Sequence, residues 1–111
     1  MEKSREISMD QDFIQKLTNT VFENLNNEQF GAEELASQIG LSRSQIHRRL
    51  HQINGQSITQ FIREIRLKEA HRLLEKEVGT ASEIAYMVGF GSPTYFNKCF
   101  HEYYGYTPGE V

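Results

Sequence analysis

Apolar residues recur along this chain at intervals of three and four, and no strict alternation runs long enough to make a strand. Phe13, Ile14, Leu17, Val21 and Leu25 follow that spacing, with Asp10 placed to cap them. They predict a first helix over about 10–26 and leave 1–9 as a linker or tail. Further on, polar residues mark helix starts. Ser42 precedes Gln45 by three residues, Ser57 precedes Gln60, Thr80 precedes Glu83 and Thr107 precedes Glu110. Each pair is a capping box, in which a hydroxyl and an amide or carboxylate satisfy two orphan backbone N–H groups. Ser92 is followed by Pro93, whose missing N–H costs nothing in a first turn. Gly55, Gly79 and Gly105 follow apolar stretches and read as C-terminal stops. The pattern predicts helices over about 10–26, 32–39, 42–53, 57–77, 81–88 and 92–104, with a short last turn at 107–111. The longest has Ile58, Phe61, Ile62, Ile65, Ala70, Leu73 and Leu74 on its buried side, with Arg63, Lys68, Arg72 and Lys76 mostly elsewhere. It reads as a strut.

Two segments of the chain repeat. Leu35-Ala36-Ser37-Gln38-Ile39-Gly40-Leu41 resembles Ile84-Ala85-Tyr86-Met87-Val88-Gly89-Phe90, and both Ala36–Ala85 and Gly40–Gly89 are separated by 49 residues. A capped helix follows each copy, with apolar residues four apart: Ile46 and Leu50, then Phe96 and Phe100. The second copy has one extra residue in its turn. Two short helices crossing steeply need a small residue where they touch, which Ala36 and Ala85 supply. The turn needs a residue that tolerates positive φ, supplied by Gly40 and Gly89. Leu41 and Phe90 are then expected to tuck under each pair, leaving the second helix one outward face for a major groove.

Charge adds to this picture through its distribution. The 111 residues carry a net charge of −3, which argues against nucleic acid until it is divided along the chain. Residues 1–40 hold three basic and eight acidic side chains, a balance of −5. Residues 41–78 hold eight and four, +4, and residues 79–111 one and three, −2. Phosphate binding needs local cations, not a basic total. No apolar run approaches the ~18 residues of a membrane span, and the polar start from Met1 to Asp10 is unlike a secretory signal. The single cysteine, Cys99, fits a reducing, cytoplasmic compartment.

With these residues in place, the chain resembles the AraC/XylS family of bacterial transcription regulators over about 10–111. The signature is Arg66-Leu67-Lys68-Glu69-Ala70 on the strut, then Ile84-Ala85, Gly89-Phe90, Phe96, Phe100 and Gly105-Tyr106-Thr107-Pro108. The resemblance implies an all-α, homeodomain-like architecture of seven helices. Two helix-turn-helix subdomains, about 32–53 and 81–104, are joined by a long linker helix at about 57–77. It also implies that each recognition helix enters one of two adjacent major grooves. Phe13-Ile14, Ser42-Arg43-Ser44 and the run from Phe61 to Lys68 look most like the output domain of a hybrid two-component regulator, the cytoplasmic end of a membrane-bound sensor. His101 stands where the family has lysine, and the chain ends at Val111 where relatives continue with an aromatic and a basic residue, which reads as truncation.

If Ile46 and Leu50 point inward, Arg43, Ser44, His47 and Arg48 point outward. By matched position in the family, Ser44, His47 and Arg48 are the base readers of the first unit. Arg48 either pairs with guanine O6 and N7 or contacts phosphate, and His47 either reads or stands in water. In the second unit Thr94, Asn97 and Lys98 face outward. Asn97 is suited to adenine and Lys98 to guanine or phosphate, while Tyr95 either packs on the sugar-phosphate chain or covers the core. Ser42 and Ser92, at helix starts, are candidates for phosphate. Arg63 and Arg66 either contact phosphate or form salt bridges within the fold. His47 and His51 have a spacing that can hold zinc, but no third ligand is obvious, so no metal or other cofactor is expected. No phosphate-binding glycine loop, nucleophile elbow or acid–base pair appears, which argues against an enzyme. The expected partner is double-stranded DNA, with RNA polymerase a further one, and dimerisation is expected outside this chain. The alternative is a helical protein-interaction module, which the acidic residues of 23–34 favour.

Overall fold

Three of the four capping boxes of the sequence close reciprocally in the structure and set their helix starts, and the fourth, at Thr107, closes in one direction. In this computed structural model, which describes residues 2–111, the order is α1 (Glu2–Glu23), α2 (Ala32–Ile39), α3 (Arg43–Asn54), α4 (Ile58–Glu75), α5 (Ala81–Met87) and α6 (Pro93–Tyr104). A 3-10 turn at Pro108–Glu110 stands where a seventh helix was expected. Among the described residues there is no strand. The Gln45 N–H donates to Ser42 Oγ and the Ser42 N–H to the Gln45 side chain, at 3.1 and 2.8 Å. The same reciprocal pair forms at Ser57 and Gln60 and at Thr80 and Glu83. At the last turn the Thr107 N–H donates to Glu110. Ser92 Oγ accepts from the Tyr95 N–H ahead of Pro93.

The chain divides into two compact units: residues up to Asn24 together with Phe30–Ile62, and Leu25–Gln29 together with Arg63–Val111. In the first, Phe13, Leu17 and Val21 of α1 are buried at helical spacing, as are Leu35 and Ala36 of α2, Ile46 and Leu50 of α3, and Ile58, Phe61 and Ile62 of α4. In the second, one cluster gathers Leu67, Ala70, Ile84, Ala85, Val88, Phe90, Phe96, Cys99 and Phe100. Phe96 and Phe100 are fully buried with ring centroids 5.6 Å apart. Each such side chain stabilises by roughly 2–3 kcal/mol through burial, and the tilted pair adds about 1 kcal/mol. Cys99 is a small apolar member of this core.

Several boundaries differ from the expectation, each for a local reason. α1 starts at Glu2, not Asp10, because residues 2–9 contain no helix breaker, so the expected tail is helical as far as it is described; Met1 lies outside the described residues. Asp10 caps nothing and instead pairs with Arg49 at 3.8 Å. The helix closes at Glu23, where the Asn24 side chain donates to the Thr20 carbonyl at 2.8 Å. Gly55 and Gly105 close their helices with φ of 70° and 81°. Gly79 does not close α4: Glu77 takes the left-handed conformation, φ 53°, and the Val78 N–H reaches back to the Leu73 carbonyl.

Candidate nucleic-acid interface

In the first unit, the Gly40 N–H and the Leu41 N–H both donate to the Ala36 carbonyl, and Gly40 has φ 83°. That turn hands the chain to Ser42 and α3. Ile46 and Leu50 are fully buried, which turns Arg43, Ser44, His47 and Arg48 outward, and all four are exposed. Leu41 does not tuck under: it is 37% exposed, whereas its counterpart Phe90 is 4% exposed. The Ser42 hydroxyl and N–H are both used by the capping box, so the amides left at the start of α3 belong to Arg43 and Ser44. The rings of His47 and His51 stack 6.1 Å apart on the outer face.

The second unit builds the same form with different support. The Phe90 N–H donates to the Ala85 carbonyl, and Gly89 has φ 91°. Phe96 and Phe100 face inward, and Thr94, Tyr95, Asn97 and Lys98 are exposed. Tyr95 covers the core in part: its ring lies 5.9 Å from Phe90, and 49% of the residue stays exposed. Ser92 spends its hydroxyl on the Tyr95 N–H.

Much of the positive charge of residues 41–78 is consumed inside the units. Arg49 lies over the Phe13 ring at 4.2 Å and donates to the Met9 carbonyl. Lys68 pairs with Glu64 at 3.0 Å, and Arg72 with Glu69. Arg43 sits 3.8 Å from Glu33, an exposed contact worth at most about 1 kcal/mol. Sequence reasoning passed over Glu33; its place in the acidic run was the only signal. Among the described residues, neither Arg48 nor Lys98 has an ion-pair partner. Arg63 is half-buried.

Arg66 is the main correction to the expected interface. It is 5% exposed, and its guanidinium donates to the carbonyls of Val88 (2.7 Å), Asn27 (3.0 Å) and Leu25. It is turned into the second unit, not toward a phosphate. Burial lowers its pKa from the usual 12.5, yet an arginine keeps its proton. Hydrogen bonds from a charged donor contribute roughly 1.5–3 kcal/mol each.

Nearby, Tyr103 donates to Glu64 at 2.8 Å; desolvation first, then that carboxylate, push its phenol up to about 12. His71 bridges Tyr106 (2.7 Å) and Glu75 (2.6 Å) beside Phe100. No group of three His, Cys, Asp or Glu side chains able to hold a metal occurs among the described residues. No helix among them is long and apolar enough to cross a membrane.

Two short helix pairs, each with an Ala–Gly turn, a capped second helix and an outward polar face, define a tandem helix-turn-helix domain. Comparison with known proteins agrees. A helix-turn-helix domain family matches residues 35–111. A solved transcriptional regulator of Chromobacterium violaceum, described as an AraC-type DNA-binding domain-containing protein, has the same fold with a TM-score of 0.83, at 24% identity over 93% of this chain and 91% of that one. The chain belongs to the AraC-type helix-turn-helix family. It is 37% identical to histidine kinase P4 of Formosa agariphila over 93% of its own length and 8% of the kinase. The DNA-binding domain of the global transcriptional factor AdpA, crystallised with a target DNA, is 29% identical with a TM-score of 0.78, covering 87% of this chain and 86% of that one. The chain spans between 8 and 28% of the length of the first curated relatives it matches.

Proposed function

We infer that this chain is the sequence-specific, double-stranded-DNA-binding domain of a transcriptional regulator. The observation that carries the reading is the matched construction of α3 and α6. Each has two inward residues with no exposed surface and an opposite face of exposed polar side chains at its N-terminal end, the end that meets base edges in helix-turn-helix proteins. The similarity to AdpA, solved on DNA, supports it.

The domain extends over 10–111, and α3 and α6 enter adjacent major grooves. In the first unit Ser44, His47 and Arg48 read bases, with Arg48 on a guanine; Arg43 and the amides following Ser42 hold phosphate. In the second, Asn97 reads adenine, Lys98 takes guanine or phosphate, Thr94 approaches a base edge, and Tyr95 packs on the sugar-phosphate chain beside the amides following Ser92. Arg63 adds a phosphate contact. The similarity to a histidine kinase supports a place at the output end of a two-component sensor, on the cytoplasmic side of a membrane. There RNA polymerase would be the further partner, and dimerisation would belong to other segments.

Selection from random duplexes tests this. The expected site spans about two helical turns. Arg48→Ala should relax preference at one defined base, by about 1–3 kcal/mol of discrimination, while Arg43→Ala weakens binding to all sites alike. Recovery of no common sequence, or equal sequence-blind losses from both variants, would refute the assignment.

A further inference from the structure

The two glycines of the repeat have different surroundings. At Gly40 an added Cβ would meet nothing within 4 Å. At Gly89 it would fall on the Arg66 guanidinium and close against the Leu25 carbonyl. At Gly91, in the same turn, an added Cβ would meet only the end of the Glu28 side chain. The turn between α5 and α6 is thus a three-part assembly. Residues 88–91 lie against the segment Leu25–Gln29, and Arg66 from α4 fills the space that Gly89 leaves, bonding Val88 on one side and Leu25 and Asn27 on the other. All of these residues belong to one unit.

The Val88 carbonyl lies at the C-cap of α5, and the four residues Gly89–Ser92 connect it to Pro93, which opens the helix that carries Thr94, Asn97 and Lys98. A guanidinium has a fixed planar fork, so three acceptors on two backbone segments fix the carbonyl of Val88 in position and direction. An ammonium on a flexible stem cannot hold the same three carbonyls in one plane. We propose that Arg66 is a positioning residue for DNA reading by the second unit: by holding the Val88–Gly91 turn against Leu25–Gln29, it sets the angle at which α6 presents its base-reading side chains. This rests on the DNA-binding reading above. The first unit has an open turn at the matching place, so loss of the arginine should act on one half-site only.

Two measurements decide it. In the intact chain, half-sites are first assigned by Arg48→Ala and Asn97→Ala. Arg66→Lys should then lose about tenfold in base discrimination at the second unit's half-site and leave the first unit's unchanged. Equal losses at both half-sites, or none, overturn the proposal, since a merely structural role would lower binding everywhere. Amide hydrogen exchange in the unmutated chain gives a second answer that needs neither a folded variant nor DNA. The Gly89 and Phe90 N–H groups should exchange at least tenfold more slowly than the matched Gly40 and Leu41 N–H groups, all four of which are bonded within their own turns. Comparable rates would overturn the claim that the arginine holds the turn. If the unmutated chain shows no base discrimination, the DNA reading fails, and the exchange comparison still decides the holding role.

Discussion

Gly40 and Gly89 occupy matched places with φ of 83° and 91°, and the repeat in the sequence shows both as turn glycines. Their unequal burdens were not legible there, because the difference lies in what stands opposite. Arg66 is separated by 41, 39 and 22 residues from the carbonyls of Leu25, Asn27 and Val88. Backbone acceptors leave no mark in a sequence, so an arginine on a helix facing inward reads like one facing phosphate. Ile46, Leu50, Phe96 and Phe100 were legible as inward residues because helical spacing fixes which face they share. Leu41 was not: the same turn position that buries Phe90 leaves it exposed. Gly40→Ala should therefore cost about 1–2 kcal/mol of stability, the strain of a left-handed alanine. Gly89→Ala should cost at least about 3 kcal/mol, since it also displaces a buried, bonded charge. Denaturant unfolding of both variants checks this, and equal costs would show that the guanidinium is not seated where the structure has it.

Capping motifs made the helices readable as elements. A capping box is a local contract between residues three apart, so Ser42, Ser57, Thr80 and Thr107 announced their starts without reference to the fold. The poorly placed ends were those decided at a distance or by competition. Asp10 is taken by Arg49, and Glu77 adopts the left-handed conformation two residues before the glycine that could do so more cheaply. The caps also respond to pH. The Thr80 backbone N–H and then its hydroxyl hold the Glu83 carboxyl below its ordinary 4.5. A carboxylate whose pKa is lower folded than unfolded contributes stability above the unfolded value, and that contribution fades as pH falls through the folded one. Glu83→Gln should accordingly be less stable than the unmutated chain at neutral pH, with the gap closing below about pH 4.5. A gap that stays constant from pH 7 to 3 would contradict the capping account.

For the molecule as a whole, the repeat and the uneven charge pointed to paired DNA-reading helices, and the family match agrees. The charge signal was only partly what it looked like. Of the basic side chains in 41–78, Arg49, Arg66, Lys68 and Arg72 serve the units themselves, and Arg43 shares its charge with Glu33. The cations offered outward are few, with Arg48 in the first unit and Lys98 in the second the clearest. Binding should therefore be salt-dependent but modest in slope, with specificity resting on side chains at the starts of α3 and α6. The most direct test is the equilibrium affinity of the purified chain for its selected site, titrated with salt and compared with random duplex. With about four phosphate contacts, affinity should fall on the order of a hundredfold between roughly 50 and 200 mM salt, and the selected site should stay preferred throughout. Affinity indifferent to salt, or equal for selected and random DNA, would contradict the account.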